Sequence, residues 1–396
     1  MKTLITSILF VLVSMLGSAA LAADIKLGVV FGYTGPIESL TPHMAQGAEL
    51  AMKEVNDGGG LLGGKKVVSV RADSTCGDAA AGSAATERIV TSDKVNAIVG
   101  GDCSGVTIAM LENVAKPNGI VMISPSATSP ALSTIEDNGL FFRTAPSDAR
   151  QGAIVADILK DMGIKEAALT YTNNDYGKGL ADSIAANVKK GGGKITISAP
   201  HEDGKGDYSA EVAALAAAGG DILIVAGYAD QGGKGIIQGA LDTGAFDKFY
   251  LPDGMISDSL IKAIGKGLEG AIGAHPGTDS PGAAKLGEIA KAAKIKSDSP
   301  FVPEAYDAAA LIMLAMQAAK SAESGKLKDK VMTVANAPGE KIYPGELAKG
   351  LKILAGGGDV DYVGASAVEL IGPGESAGNY RQITVKGGKF ETVNYR

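Results

Sequence analysis

Hydrophobic residues in this chain follow two periods that take turns. Short apolar runs bounded by Gly, Pro, Asn or Asp predict strands over 25–31, 66–71, 95–99, 119–123 and 140–143. Between them the spacing turns helical. Met44, Ala48, Ala51, Met52 and Val55 share one face of a helix over 44–56, and Ala84, Ala85, Ile89 and Val90 share one over 79–91. A helix over 149–162 follows the break at Pro146-Ser147-Asp148, and then the alternation restarts. Strands are expected at 166–172, 194–199, 221–226, 249–251 and 270–274. Helices are expected at 176–190, 209–218, 231–243 and 258–265. A β-α-β-α series run twice predicts an α/β protein with two doubly wound parallel-sheet lobes in tandem.

The last third breaks this rhythm. Helices are expected at 281–294, at 303–322 and near 344–354, and short strands at 367–370, 380–385 and 389–393. The densest apolar stretch, Ala308 to Ala319, is too short to span a bilayer and reads as a buried helix. The N-terminus carries Lys2, an apolar run from Leu4 to Leu16, and the small-residue site Ala20-Leu21-Ala22. That is the pattern of a secretory signal peptide over 1–22, with an exported, soluble chain beginning near Ala23. Cys76 and Cys103 are the only two thiols of the 396 residues, and an even count in an oxidising compartment suggests one disulfide.

Polar loops follow the strands, and loops at the carboxyl ends of parallel strands are where open α/β sheets bind ligands. After the third strand comes Gly101-Asp102-Cys103-Ser104, opening a helix. After the fourth comes Pro125-Ser126-Ala127-Thr128-Ser129-Pro130. Free N–H groups at a helix start, with hydroxyls beside them, suit an anion such as a carboxylate. Ser104 as an N-cap, with Ser126 and Thr128 making turn bonds, accounts for the same residues without a ligand. In the second series Asp148, Tyr176, Tyr228 and Asp253 fall at helix starts or strand ends. Either acid could neutralise an ammonium, and the tyrosines could close over it or over an apolar side chain. Anion-friendly groups on one lobe and acids on the other suggest a zwitterion clamped between them.

The remaining chemistry narrows the field. A net charge of −7 gives no electrostatic case for nucleic acid. His43, His201 and His275 are far apart and outside any metal-ligand spacing, and no phosphate-loop or H-E-x-x-H pattern occurs. No cofactor is expected. Gly58 to Gly63 satisfies G-x-G-x-x-G, but with a helix before it and a strand after it, the reverse of a dinucleotide site. Gly101-Asp102-Cys103-Ser104-Gly105 is a G-x-C-x-G between strand and helix, the setting of a nucleophile elbow. A hydrolase built on Cys103 with His275 and an Asp is therefore a competing expectation, and a disulfide at Cys103 would remove its nucleophile.

The chain resembles the periplasmic leucine/isoleucine/valine-binding proteins of ABC transporters, a branch of the type I periplasmic binding fold. The resemblance rests on Ile25-Lys26-Leu27-Gly28-Val29-Val30 with Thr34-Gly35-Pro36, on Asp102-Cys103-Ser104, and on Ile123 to Pro130. It continues through Phe142-Arg143-Thr144 with Asp148 and Gln151-Gly152, Asn174-Asp175-Tyr176-Gly177, and Glu304-Ala305-Tyr306-Asp307-Ala308. It implies a non-catalytic monomer in the periplasm that closes by hinge motion and docks on an ABC permease in the inner membrane. It implies that Ser104, Ser126 and Thr128 hold a ligand α-carboxylate, that Asp148 and Asp253 hold its ammonium, that Tyr176 and Tyr228 belong to the closing lobe, and that Cys76 bridges Cys103. The expected lobes are 24–147 with 275–364, and 148–274 with 365–396. Leucine binders of the family often carry Glu where Asp253 stands and an aromatic near Leu40. Another α-amino acid, a small amine-carboxylate such as 4-aminobutyrate, or a ligand-sensing role therefore stays open beside branched-chain transport.

Overall fold

The computed structural model describes residues 23–396, so the expected signal peptide lies outside the described residues. The first five strands are β1 (Ile25–Phe31), β2 (Val67–Asp73), β3 (Ala97–Gly100), β4 (Met122–Ser124) and β5 (Phe141–Pro146). The next five are β6 (Glu166–Thr172), β7 (Lys194–His201), β8 (Ile222–Ala226), β9 (Phe249–Leu251) and β10 (Ile272–Pro276). They form two parallel sheets with one wiring, β2-β1-β3-β4-β5 and β7-β6-β8-β9-β10. Each chain reversal therefore leaves a crevice beyond the strand ends, between β1 and β3 in one sheet and between β6 and β8 in the other. The strands are apolar and buried because helices cover both faces of each sheet. Leu27, Val29, Val30 and Phe31 of β1 and all of β8 are inaccessible to water.

The later elements complete both lobes. The helix Val302–Ala319 is buried almost all round and packs across Thr41–Asp57, as its unbroken apolar composition requires. A helix at Ser324–Ala335 was not expected: Leu327, Val331 and Val334 hold its buried face, but the charged run Lys328-Asp329-Lys330 between the first two dilutes the signal. β11 (Glu340–Ile342) and β12 (Val360–Tyr362), also unforeseen, pair only with each other. β13 (Leu370–Ile371) and β14 (Glu375–Ser376) join the first sheet beside β5, which puts the second-lobe boundary expected at 365 too early in the chain. β15 (Tyr380–Lys386) and β16 (Lys389–Tyr395) form an antiparallel hairpin on the edge of the second sheet, turning at Gly387-Gly388.

The chain crosses between the lobes after β5, after β10 and between β14 and β15. The crossings lie side by side. Ser376 pairs with Pro146, and the Gly277 N–H donates to the Asn379 carbonyl at 3.0 Å. Gly378 has φ +73°, and a Cβ there would stand 2.3 Å from the Pro146 side chain, so only glycine fits this junction.

Candidate functional site

The two crevices face each other. From the first come Asp102, Cys103 and Ser104 after β3 and Ser126 after β4; from the second come Tyr176 after β6, Tyr228 after β8, and Asp253-Gly254 after β9. With Ile37, Leu40 and Phe301 they line a tight interlobe space of about 20 Å³. Five of the seven expected ligand residues thus share one cavity. Thr128 and Asp148 are wholly buried but stand outside its lining.

The first wall is braced from below. Cys76 and Cys103 form a disulfide with a Cα–Cα distance of 5.2 Å, which ties the loop after β2 to the loop after β3. Cys103 is therefore no thiolate, and the hydrolase expectation falls. Asp102 fixes the same corner: its carboxylate accepts from the Gly32 N–H at 2.7 Å and the Ser74 hydroxyl at 2.8 Å. Burial pushes its carboxyl up, and these donors oppose the shift. Gly32 has no room for a side chain, since a Cβ would meet Cys76 backbone and side chain at 2.9 Å. The loops after β3 and β4 are laced together. Ser104 Oγ accepts from the Ser129 N–H at 3.0 Å, and the Ser126 hydroxyl donates to the Asp102 carbonyl at 3.1 Å. Arg143, 1% exposed, holds the hydroxyl loop by donating to the Ala127 and Ser129 carbonyls, to Ser133, and to Glu375 of β14. The guanidinium is thus engaged with backbone and Glu375 and does not line the cavity. The helix beginning at Ser104 leaves its first N–H groups without intrahelical acceptors, facing this wall.

The second wall is acidic and aromatic. Tyr176 and Tyr228 stack with centroids 5.2 Å apart and planes 17° from parallel. The Tyr176 hydroxyl donates to Asp253 Oδ1 at 2.6 Å, and Gly254 N–H donates to the same oxygen at 2.7 Å. Gln151, unmarked by any expectation beyond the family motif, links the two acids. Its Nε2 donates to Asp253 Oδ2 at 2.8 Å and to Asp148 Oδ1 at 3.0 Å. Burial, then the charge of Asp253, pushes the Asp148 carboxyl well up. Burial also raises Asp253, against the stabilising bonds from Tyr176, Gln151 and Gly254. Among the described residues Asp148 Oδ2 and Thr128 Oγ1 have no hydrogen-bond partner. The cavity holds two carboxylates and no basic side chain among the described residues. Such a site attracts a cationic group and supplies an anion only with N–H and hydroxyl donors.

Facing crevices of two doubly wound lobes, joined by three crossings, define a type I periplasmic binding fold. The LivJ substrate-binding protein of a branched-chain amino acid transporter from Streptococcus pneumoniae, solved in complex with isoleucine, shares it with a TM-score of 0.76 and 25% identity, over 93% of this chain and 99% of that one. A solute-binding protein from R. palustris in complex with benzoate shares the fold with a TM-score of 0.74 at 18% identity, over 94% and 96%. The Leu/Ile/Val-binding protein homolog 3 of Brucella melitensis is 31% identical over 83% of this chain and 88% of its own. Residues 24–341 match the periplasmic binding protein family, and this chain belongs to it. Members of this family bind and release solutes and are not enzymes.

Proposed function

We infer that this protein is the substrate-binding component of an ABC transporter for α-amino acids, of the leucine, isoleucine and valine type. The observation that carries the reading is the asymmetry of the cavity: Asp253 under stacked tyrosines on one side, Ser104 and Ser126 at a helix start on the other. On this reading Asp253 takes the ammonium. Ser104, Ser126 and the first N–H groups of the helix take the carboxylate, with Thr128 completing the hydroxyl loop behind them. Ile37, Leu40 and Phe301 surround an aliphatic side chain. Asp148 acts at one remove, by holding the Gln151 amide that donates to Asp253. The first lobe is then 24–147 with the segment from 277 to 376, the second 148–276 with β15 and β16, and ligand binding brings them together by bending at the crossings. The chain is exported, loses residues 1–22, works as a monomer and delivers its ligand to a membrane permease.

The similarity to a Leu/Ile/Val-binding homolog over most of the chain supports the ligand class. The test is a thermal-shift and calorimetric screen of the mature, ligand-stripped protein, since a ligand that binds only the folded state raises Tm by mass action. Stabilisation by leucine, isoleucine and valine is expected. Stabilisation by 4-aminobutyrate alone would keep the clamp and change the ligand. Stabilisation by benzoate, with no response to any amine, would overturn the assignment of Asp253.

A further inference from the structure

A second, larger cavity lies beside the amino-acid site and shares Leu40 with it as a wall. Its volume is about 600 Å³. Ser39, Leu40 and His43 of the first lobe form one side; the Ile256–Lys262 region and the β10, β15 and β16 edge of the second form the other. Its floor is built from a cross-strand pair. His275 of β10 stands directly opposite Arg381 of β15, which puts both side chains on one face of the sheet. His275 is 5% exposed, lines the cavity, and its Nδ1 has no hydrogen-bond partner. Among the described residues Arg381 makes one side-chain hydrogen bond, from Nε to Thr392 at 2.7 Å, and both terminal nitrogens are without a partner. Lys262 and Lys389 also line the space, and neither they nor Arg381 is in an ion pair among the described residues. Lys296 is paired with Asp258, and Asp298 is the one other acid in the lining. Cations therefore outnumber acids here by four to two, in a chain whose net charge is −7.

We propose that this cavity binds a small multivalent oxyanion, of the phosphate or polycarboxylate class. The terminal nitrogens of Arg381 grip it above His275, and Lys262 and Lys389 supply screening-sensitive attraction from the rim. The site needs both lobes. Its first-lobe wall includes Ser39, whose hydroxyl lies 2.8 Å from that of Ser257 and whose N–H donates to Asp230 at 3.0 Å, both across the cleft. An anion held here favours the closed arrangement, and by linkage it tightens the amino-acid site as much as the amino acid tightens the anion site.

The test titrates inorganic phosphate, and separately citrate, into the mature protein by calorimetry at fixed ionic strength with chloride as the balancing salt. Saturable binding of either is expected, abolished by Arg381→Gln and weakened by Lys262→Gln, whose side chain is exposed and in no ion pair among the described residues. Leucine affinity is then measured with and without the anion, and an improvement of about fivefold is expected, the low end of usual couplings. An absence of saturable heat with both anions, or binding that survives Arg381→Gln, overturns the site. Anion binding with unchanged leucine affinity overturns the coupling. The anion titration needs no amino acid, so a failure of leucine to bind would count against the ligand assignment alone.

Discussion

Replacing Asp253 by Asn separates what this carboxylate does for the ligand from what it does for the fold. Asp253 is 1% exposed and already accepts from Tyr176, Gln151 and Gly254. If it holds the ligand ammonium, the variant leaves a buried cation without its counter-charge. Breaking a buried, hydrogen-bonded charge pair in this way costs about 2–5 kcal/mol, or roughly 30-fold to several thousand-fold in Kd. Stability moves the other way. Burial raises the Asp253 carboxyl, so between the ordinary carboxylate range and that raised value the folded state holds a proton that the unfolded chain has released. Asp253 therefore contributes a fall in stability as pH rises through that window, and Asp253→Asn removes that contribution. The ligand-free variant is expected to melt no lower than the parent at pH 7, while its stabilisation by leucine disappears. Calorimetry with leucine and thermal melts with and without it give both numbers. A Kd within about threefold of the parent, roughly 0.7 kcal/mol, would refute the ammonium assignment.

Other outcomes follow from neighbouring features. Replacing both Cys76 and Cys103 by Ser opens a bridge of sequence separation 27 and should lower unfolding free energy by about 3–4 kcal/mol in urea titrations of oxidised protein. Glu304 is buried, neither carboxylate oxygen has a partner among the described residues, and burial pushes it up to about 8. Parent stability relative to Glu304→Gln should therefore fall by about 1.4 kcal/mol per pH unit between the ordinary glutamate range and 8, and level off above it. Asp230→Asn weakens the interlobe bond from the Ser39 N–H and the bond from Ser259 within the second lobe that orients the carboxylate, so leucine affinity should drop by about 1 kcal/mol, with a more extended ligand-free form in small-angle scattering. Tyr176→Phe removes a donor to Asp253 and should weaken leucine binding while leaving the stacked pair in place, as judged by calorimetry beside near-ultraviolet circular dichroism.

The wiring of both sheets was legible because each strand is a short apolar run and each helix keeps its own period. The cavity was legible for a related reason: strand-end loops are fixed by topology, so Ser104, Ser126, Tyr176, Tyr228 and Asp253 had to converge once the sheets were wound. What escaped was set by packing across long distances in the chain. Gln151 reads as one more polar position in a helix until β9 brings Asp253 beside it, 102 residues later. Asp148 and Thr128 sit at the expected strand ends but one layer back, a depth that no periodicity encodes. β13 and β14 are two residues each, and their place in the first sheet depends on β5 offering a free edge and on Glu375 reaching Arg143. The 324–335 helix packs against the helix before it and against β12, and neither neighbour is legible from its own sequence.

The three crossings bear on how a binding event becomes a signal. Two lobes on one strap could swivel about it and would present many faces to a partner. Three straps that touch, at Ser376 with Pro146 and Gly277 with Asn379, act as a door hinge with several knuckles and leave essentially one angle free. The ligand's contribution is then converted into a change along a single coordinate. On the transport reading proposed above, a membrane partner has only to gauge that angle to distinguish a loaded molecule from an empty one.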